Sequence, residues 1–383
     1  MSVTAPQGFR AAGVTAGLKT KDERDVAVVI NDGPSRAAAA VFTTNRVKAA
    51  PVRWSQQVIA GQRVRAVVLN SGGANACTGP AGFQDTHATA ERLAAAIADS
   101  AAECVVCSTG LIGERLPMDK LLNGVDEAVN QANRGGGTDA ADAIRTTDTV
   151  VKIAFRRDKD YTIGGMAKGA GMLAPGLATM LCVLTTDADL TSDELQKALI
   201  TATSTTFDRL DTDGCMSTND TVLLMASGAA ETKPDKKDFT LLLTDLCADL
   251  ARQLQLDAEG ASKMVTIEVV GAASENDAVK AGRAVARSNL LKCAIHGGDP
   301  NWGRVLSAVG SVDVGGDPDR INVAMNGVWV CRNGAPGEPR EKASLDGKDV
   351  TITIDLSTGP HSAVILTTDL TAEYVHENSA YST

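Results

Sequence analysis

The chain has 383 residues, 44% of them hydrophobic and 22% charged, which suits a globular protein with room for two domains. A formal net charge of −10 argues against nucleic acid or an anionic membrane as the main partner, because neither would be attracted. The start lacks an apolar leader and no run of about 18 apolar residues occurs, so the expectation is a cytoplasmic protein.

Residues 26–30 and 64–70 read as strands, and the alanine-rich stretch 88–98 as a helix. A short buried strand at 104–107 ends on Ser108-Thr109-Gly110. Its Cys104-x-x-Cys107 pair has no second pair, so these thiols read as small buried hydrophobes. Helices follow at 118–130 and 140–144. The segments 149–155 and 162–164 read as a hairpin across the charged tip 156–160. Gly135-Gly136-Gly137 has no Lys-Ser/Thr after it and reads as a loop rather than a phosphate cradle.

Residues 168–183 carry the most information. A turn rich in glycine, with Pro175, runs into an apolar strand expected at 179–185, whose first residue is Thr179. A mid-chain threonine hydroxyl has no base of its own. Cutting the Ala178–Thr179 bond would free an α-amine, with a reference pKa near ~8, within reach of that hydroxyl. Read alone, the segment is an ordinary strand that opens with threonine.

Further on, Thr191-Ser192-Asp193-Glu194 has the chemistry of a helix cap, with a helix running to about 202. Residues 221–226 read as a strand, 239–254 as a helix with a leucine stripe, 264–270 as a strand and 276–291 as a helix. Late strands are expected at 321–325, 328–331, 350–356 and 363–367, with loops at 314–319 and 333–340. The class is α/β. No Gly-x-Ser-x-Gly elbow, metal-ligand spacing or EF-hand order occurs, so no metal is expected.

Lys168 to Leu181 resembles the self-cleavage motif of the ornithine acetyltransferase (glutamate N-acetyltransferase, ArgJ) family, which cuts itself before the threonine of Ala-Thr-Met-Leu. This chain has Pro175-Gly176-Leu177-Ala178-Thr179-Met180-Leu181 where the family usually has Pro-Asn-Met-Ala-Thr-Met-Leu. Matches at 41–45, 70–79, 213–221 (Asp-Gly-Cys-Met-Ser-Thr-Asn-Asp-Thr) and 296–304 extend the likeness across the chain. The segments at 213–221 and 296–304 support it without assigning roles.

The resemblance implies a two-domain ArgJ/DmpA-like α/β fold with central sheets sandwiched by helices. It also implies an α chain of 1–178 and a β chain of 179–383, joined as a heterotetramer of two αβ units. Thr179 would be the nucleophile, with the Thr109 hydroxyl and Gly110 N–H as oxyanion hole in the motif Ser108-Thr109-Gly110-Leu111-Ile112-Gly113. Substrate-binding positions carry over as Thr146, Lys168, Thr179, Glu259, Asn378 and Thr383. Lys168 suits a carboxylate and Glu259 the ornithine ammonium. Taken alone, Lys168 is a solvated surface charge, Glu259 a loop carboxylate, and the polar end 377–383 a frayed tail.

The implied activity moves acetyl from N-acetylornithine to glutamate through an acetyl-threonine. It needs no cofactor, and acetyl-CoA remains open as a second donor substrate. Two other readings compete. An aminopeptidase or amidase of related fold would pass the acyl group to water, and a binding protein would never cleave. A denaturing gel of purified protein should therefore show two bands, and mass spectrometry a fragment beginning at Thr179. A single band would favour the binding protein.

Overall fold

The computed structural model describes residues 2–20, 22–174 and 180–380. Ala178, Thr179 and Thr383 lie outside the described residues. The chain divides into two compact units, one of Met1–Asp208 with Cys215–Asp257, the other of Arg209–Gly214 with Ala258–Ser382. These boundaries run elsewhere than the expected cut at 178/179.

The first unit contains two sheets. One holds β1 (Phe9–Val14), β2 (Val26–Asn31), β4 (Ala66–Asn70) and β5 (Cys104–Ser108), in the order β1-β2-β4-β5. The other holds β3 (Ala38–Phe42), β6 (Lys152–Arg157), β7 (Thr162–Lys168), β8 (Leu181–Thr186) and β9 (Thr221–Ala226), in the order β3-β9-β8-β7-β6. Most of these strands are runs of Val, Ile, Leu and Ala buried on both faces, the pattern of strands covered on two sides.

Alternation within each strand sorts the faces. Leu181 and Val183 of β8 share one core with Leu69, Cys107 and Val29 of the facing sheet, so the two sheets pack face to face. The outer face of the first sheet, through Val26, Val28 and Val68, packs on Leu93 of α2 (Gly79–Ala96) and Val125 of α3 (Met118–Gln131). On the second sheet, α5 (Ser192–Thr205) and α6 (Lys236–Leu256) pack together, and α6 lies along β6 and β7. The close approach requires glycine at 165, where a Cβ would sit 2.9–3.0 Å from Leu184, Leu246 and Leu250. Helices α1 (Ala50–Ala60) and α4 (Gly137–Ala143) complete the unit.

The second unit has one six-stranded sheet, in the order β13-β12-β11-β14-β10-β15. Its strands are β10 (Met264–Ala272), β11 (Asn322–Met325), β12 (Val328–Arg332), β13 (Ala335–Pro336), β14 (Asp349–Asp355) and β15 (His361–Thr368). In β14, Val350, Ile352 and Ile354 are buried while the intervening threonines are half-exposed, which is the period-two pattern of a sheet with one covered face. That face packs on α7 (Glu275–Ala286), α8 (Asn289–His296) and α9 (Trp302–Val309). α10 (Ala372–Ala380) ends the described chain.

Most expected elements occur, including the hairpin, seen as the β6–β7 pair. The Thr191–Glu194 capping box forms in both directions. Three expectations need correction. The helix expected at 88–98 begins at Gly79, because Pro80 occupies a first-turn position where its missing N–H costs nothing. The helix expected at 276–291 is two helices, since Ser288 accepts the Leu291 N–H and caps a fresh start. Of the polar end that reads alone as a frayed tail, residues 377–380 are helical, within the helix that starts at Ala372.

Strand β8 is hydrogen-bonded to β7 on one side and β9 on the other, and β9 in turn to β3. The sheet therefore interleaves strands from both sides of the expected cut. Processed protein should elute as one species in native gel filtration and come apart into two chains only under denaturing conditions. Separation under native conditions would contradict this pairing.

Candidate active site

The two sheets of the first unit meet at a site built from the ends of β5 and β7. Asn70, at the end of β4, turns the chain by taking the Thr109 N–H at 2.9 Å and the Ser108 hydroxyl at 2.6 Å. Thr109 pairs in return with Gly73, whose N–H it accepts at 3.0 Å. This close approach explains the glycine that follows. Gly110 has φ +126°, and a Cβ there would lie 2.8 Å from the Gly73 nitrogen. Among the described residues the Gly110 N–H donates to no acceptor, and Thr109 is 4% exposed.

Lys168 closes β7 with the same strand parity as Met166, which lies in the core between the sheets. Its side chain is 2% exposed, and its ammonium donates to Thr146 Oγ1 at 2.7 Å and Thr109 Oγ1 at 3.2 Å. Lys168 is therefore a buried cation, not a solvated surface charge. Three of the expected residues, Thr109, Thr146 and Lys168, meet around one ammonium.

The counter-charge is Asp148, which the sequence reading passed over. Its Oδ1 accepts the Gly169 N–H at 2.7 Å and the Lys152 ammonium at 2.6 Å, and its Oδ2 lies 3.9 Å from the Lys168 nitrogen. Oδ2 also accepts the Thr146 N–H at 3.1 Å. Lys152, fully buried, has a second partner in Asp257 at 2.5 Å. Burial alone would raise the Asp148 carboxyl, yet Lys168 and Lys152, with the Gly169 amide, hold it down to about 2. No local signal marks it, because an Asx turn would bond an N–H two residues after the aspartate and Asp148 takes that of Thr146, two residues before.

The first described residues after the expected nucleophile are fixed by strand register and by Asp220. Lys168 pairs with Leu181 across β7 and β8, and Leu181 pairs with Thr221 on β9. Met180, one residue after Thr179, donates its N–H to Asp220 Oδ1 at 3.0 Å and accepts the Thr221 N–H at 3.1 Å.

In the second unit, Asn378 donates to Glu259 Oε2 at 3.0 Å. Gly260 follows in a left-handed conformation (φ +59°), where a Cβ would lie 2.2 Å from the Tyr374 nitrogen, so α10 lies tightly on this turn. Thr371 ties the two by donating to the Gly260 carbonyl at 2.5 Å and accepting the Tyr374 N–H at 3.0 Å. Cys104 and Cys107 are not reactive groups by environment. Burial pushes the Cys104 and Cys107 thiols up to about 12. Among the described residues, no group of His, Cys, Asp and Glu is arranged to hold a metal ion, and no helix is long and apolar enough to cross a membrane.

Because the Asp148 carboxyl titrates at about 2 here and near ~3.9 when unfolded, its stabilisation is complete above about pH 5 and fades as pH falls through that window. Asp148→Asn should cost about 3–5 kcal/mol at neutral pH by leaving two buried ammonium groups short of a counter-ion. In thermal melts the gap between variant and parent should narrow steadily below pH 5. A gap independent of pH would assign the loss to packing.

The family model described as "ArgJ family" matches residues 10–383. The arginine biosynthesis bifunctional protein ArgJ of Thermobifida fusca (strain YX) is 70% identical over 383 residues, covering 100% of both chains. ArgJ 1 of Streptomyces clavuligerus is 63% identical over 382 residues, again covering 100% of each. Among solved structures, the ornithine acetyltransferase of Mycobacterium tuberculosis complexed with ornithine is 60% identical to the matched part. That match covers 47% of this chain and 96% of the other, with a TM-score of 0.45.

Proposed function

The chain belongs to the ArgJ family, and we propose that it is an autoprocessed acetyltransferase of arginine biosynthesis, carrying acetyl from N-acetylornithine to glutamate. The observation that carries this reading is positional. Met180, Lys168 and the Thr109–Gly110 turn are held in one compact unit, with the residue before Met180 being Thr179.

The chemistry follows from that placement. Cleavage before Thr179 frees an α-amine beside its own hydroxyl. The amine takes the hydroxyl proton as the oxygen attacks the acetyl carbonyl of N-acetylornithine. The oxyanion that forms is received by the Thr109 hydroxyl and the Gly110 N–H. Lys168 supports this arrangement, because its ammonium donates to Thr109 Oγ1 and so leaves the hydroxyl hydrogen free to point elsewhere. The protonated amine then returns its proton to the departing ornithine nitrogen, and an acetyl ester remains on Thr179. Glutamate attacks that ester by the same route in reverse, giving N-acetylglutamate and restoring the hydroxyl.

Recognition of the substrates falls to Thr146, Lys168, Thr179, Glu259, Asn378 and Thr383, with Lys168 suited to a carboxylate and Glu259 to the ornithine ammonium. The cycle needs no metal or organic cofactor, and acetyl-CoA would serve as an alternative acetyl donor. Two αβ units pairing into a heterotetramer complete the reading.

Thr179→Ala should give a single uncut chain with no transfer activity, read on a denaturing gel and by labelled acetyl transfer to glutamate. A Thr179→Ala protein that still splits would overturn the nucleophile assignment. Consumption of acetylornithine that does not depend on glutamate would favour an amidase.

A further inference from the structure

The segment Ser217-Thr218-Asn219-Asp220-Thr221 stands out in the sequence and has no part in the steps above. In the fold it reaches both halves of the proposed site. The Asn219 amide is buried and donates to the Ser108 carbonyl at 2.8 Å and to the Ala74 carbonyl at 2.7 Å. It therefore grips the turn that carries Thr109 and Gly110, and the loop against which Gly110 packs. Asp220, the next residue, has no exposed surface and takes the Met180 N–H on Oδ1. Thr221 fastens the Met180 carbonyl from the other side. The backbone between these grips is itself anchored, since the Asp220 carbonyl accepts the Thr43 N–H at 2.9 Å as β9 pairs with β3.

We infer that Asn219 and Asp220 are positioning residues that together set the distance between the oxyanion turn and the amino end of β8, with Asp220 acting as a neutral acid. The inference rests on the acetyltransfer reading above. The Met180 nitrogen is bonded to the Thr179 carbonyl carbon, so a group fixed on that N–H stands one residue from the expected nucleophile. Two adjacent residues on one strand end cannot move apart. Their two side chains therefore act as a rigid spacer between elements that are 70 residues apart in sequence (residues 110 and 180).

The neutral state follows from the surroundings. Asp220 Oδ2 has no hydrogen-bond partner among the described residues, so an anion there would be buried with only neutral donors on the carboxyl, the Met180 N–H and the Ser217 hydroxyl. Burial pushes the carboxyl well above its ordinary range, against the pull of the Met180 amide, the Ser217 hydroxyl and the Lys168 ammonium on β7, while Asp208 pushes it further up.

The test compares parent, Thr179→Ala, Asp220→Ala, Asp220→Asn and Asn219→Ala for fraction cut, for kcat and KM of acetyl transfer after processing, and for the pH profile of kcat. A misplacement of about 1 Å costs on the order of 100-fold in rate. Asp220→Ala and Asn219→Ala, with parent-like circular dichroism, should therefore cut slowly and lose that much kcat with little change in KM. Asp220→Asn, which keeps the acceptor and the neutral charge, should recover most of what alanine loses and keep the pH profile of the parent. Parent-like cleavage and kcat in folded Asn219→Ala or Asp220→Ala would overturn the inference, as would Asp220→Asn being as defective as alanine. If Asp220→Ala does not fold, Asn219→Ala and Asp220→Asn decide on the same criteria. Failure of the parent to cut at all would instead remove the acetyltransfer reading.

Discussion

The Asp148 carboxylate, buried between two lysine ammonium groups, is the interaction on which the site depends. Taking one cation and its partner out of water is costly unless every charge finds geometry and donors to match. Here Lys152 on β6 and Lys168 on β7 share Asp148, with Asp257 as a second partner for Lys152 and the Gly169 amide on the carboxylate. The arrangement holds the Lys168 ammonium, stripped of most of its water, at the edge of an apolar sandwich.

The sandwich explains why the charge can be held so close to an acyl-transfer site. Two sheets pack face to face, so strand ends from each project into the same edge of the layer between them. The first sheet brings the Thr109–Gly110 turn and the second brings Lys168 and Met180. Each is held by its own ladder of backbone bonds, so neither has to be ordered when substrate arrives. The same ladders bear on processing. With β8 between β7 and β9, a break in the connection before Met180 removes no strand from the sheet. The chain end released there stays where the sheet puts it.

Several parts of this design are readable from residues alone. Apolar runs of β-branched residues mark the strands, the Thr191–Glu194 box marks a helix start, and Ser108-Thr109-Gly110 marks a turn after a buried strand. Other parts leave weaker signals. The start of α2 at Gly79-Pro80 looks like a loop because glycine and proline usually punctuate, whereas proline in the first helical turn is harmless. Asp148, Lys152 and Asp220 are ordinary polar letters in the chain. Their burial follows from strands distant in sequence, and no local periodicity reports it.

By itself the sequence determined the family, the alternation of strands and helices, and the threonine before which a cut would create an amine. These depend on residue type and short spacing, which a linear string carries in full. Tertiary structure alone decided that Lys168 is a desolvated cation rather than a surface charge, that Asp148 is its counter-ion, and that Asn219 and Asp220 bridge the two halves of the site. Each of those facts is a matter of which atoms displace water from which others. That is set by packing between segments a hundred or more residues apart, as with Lys152 on β6 and Asp257 at the end of α6.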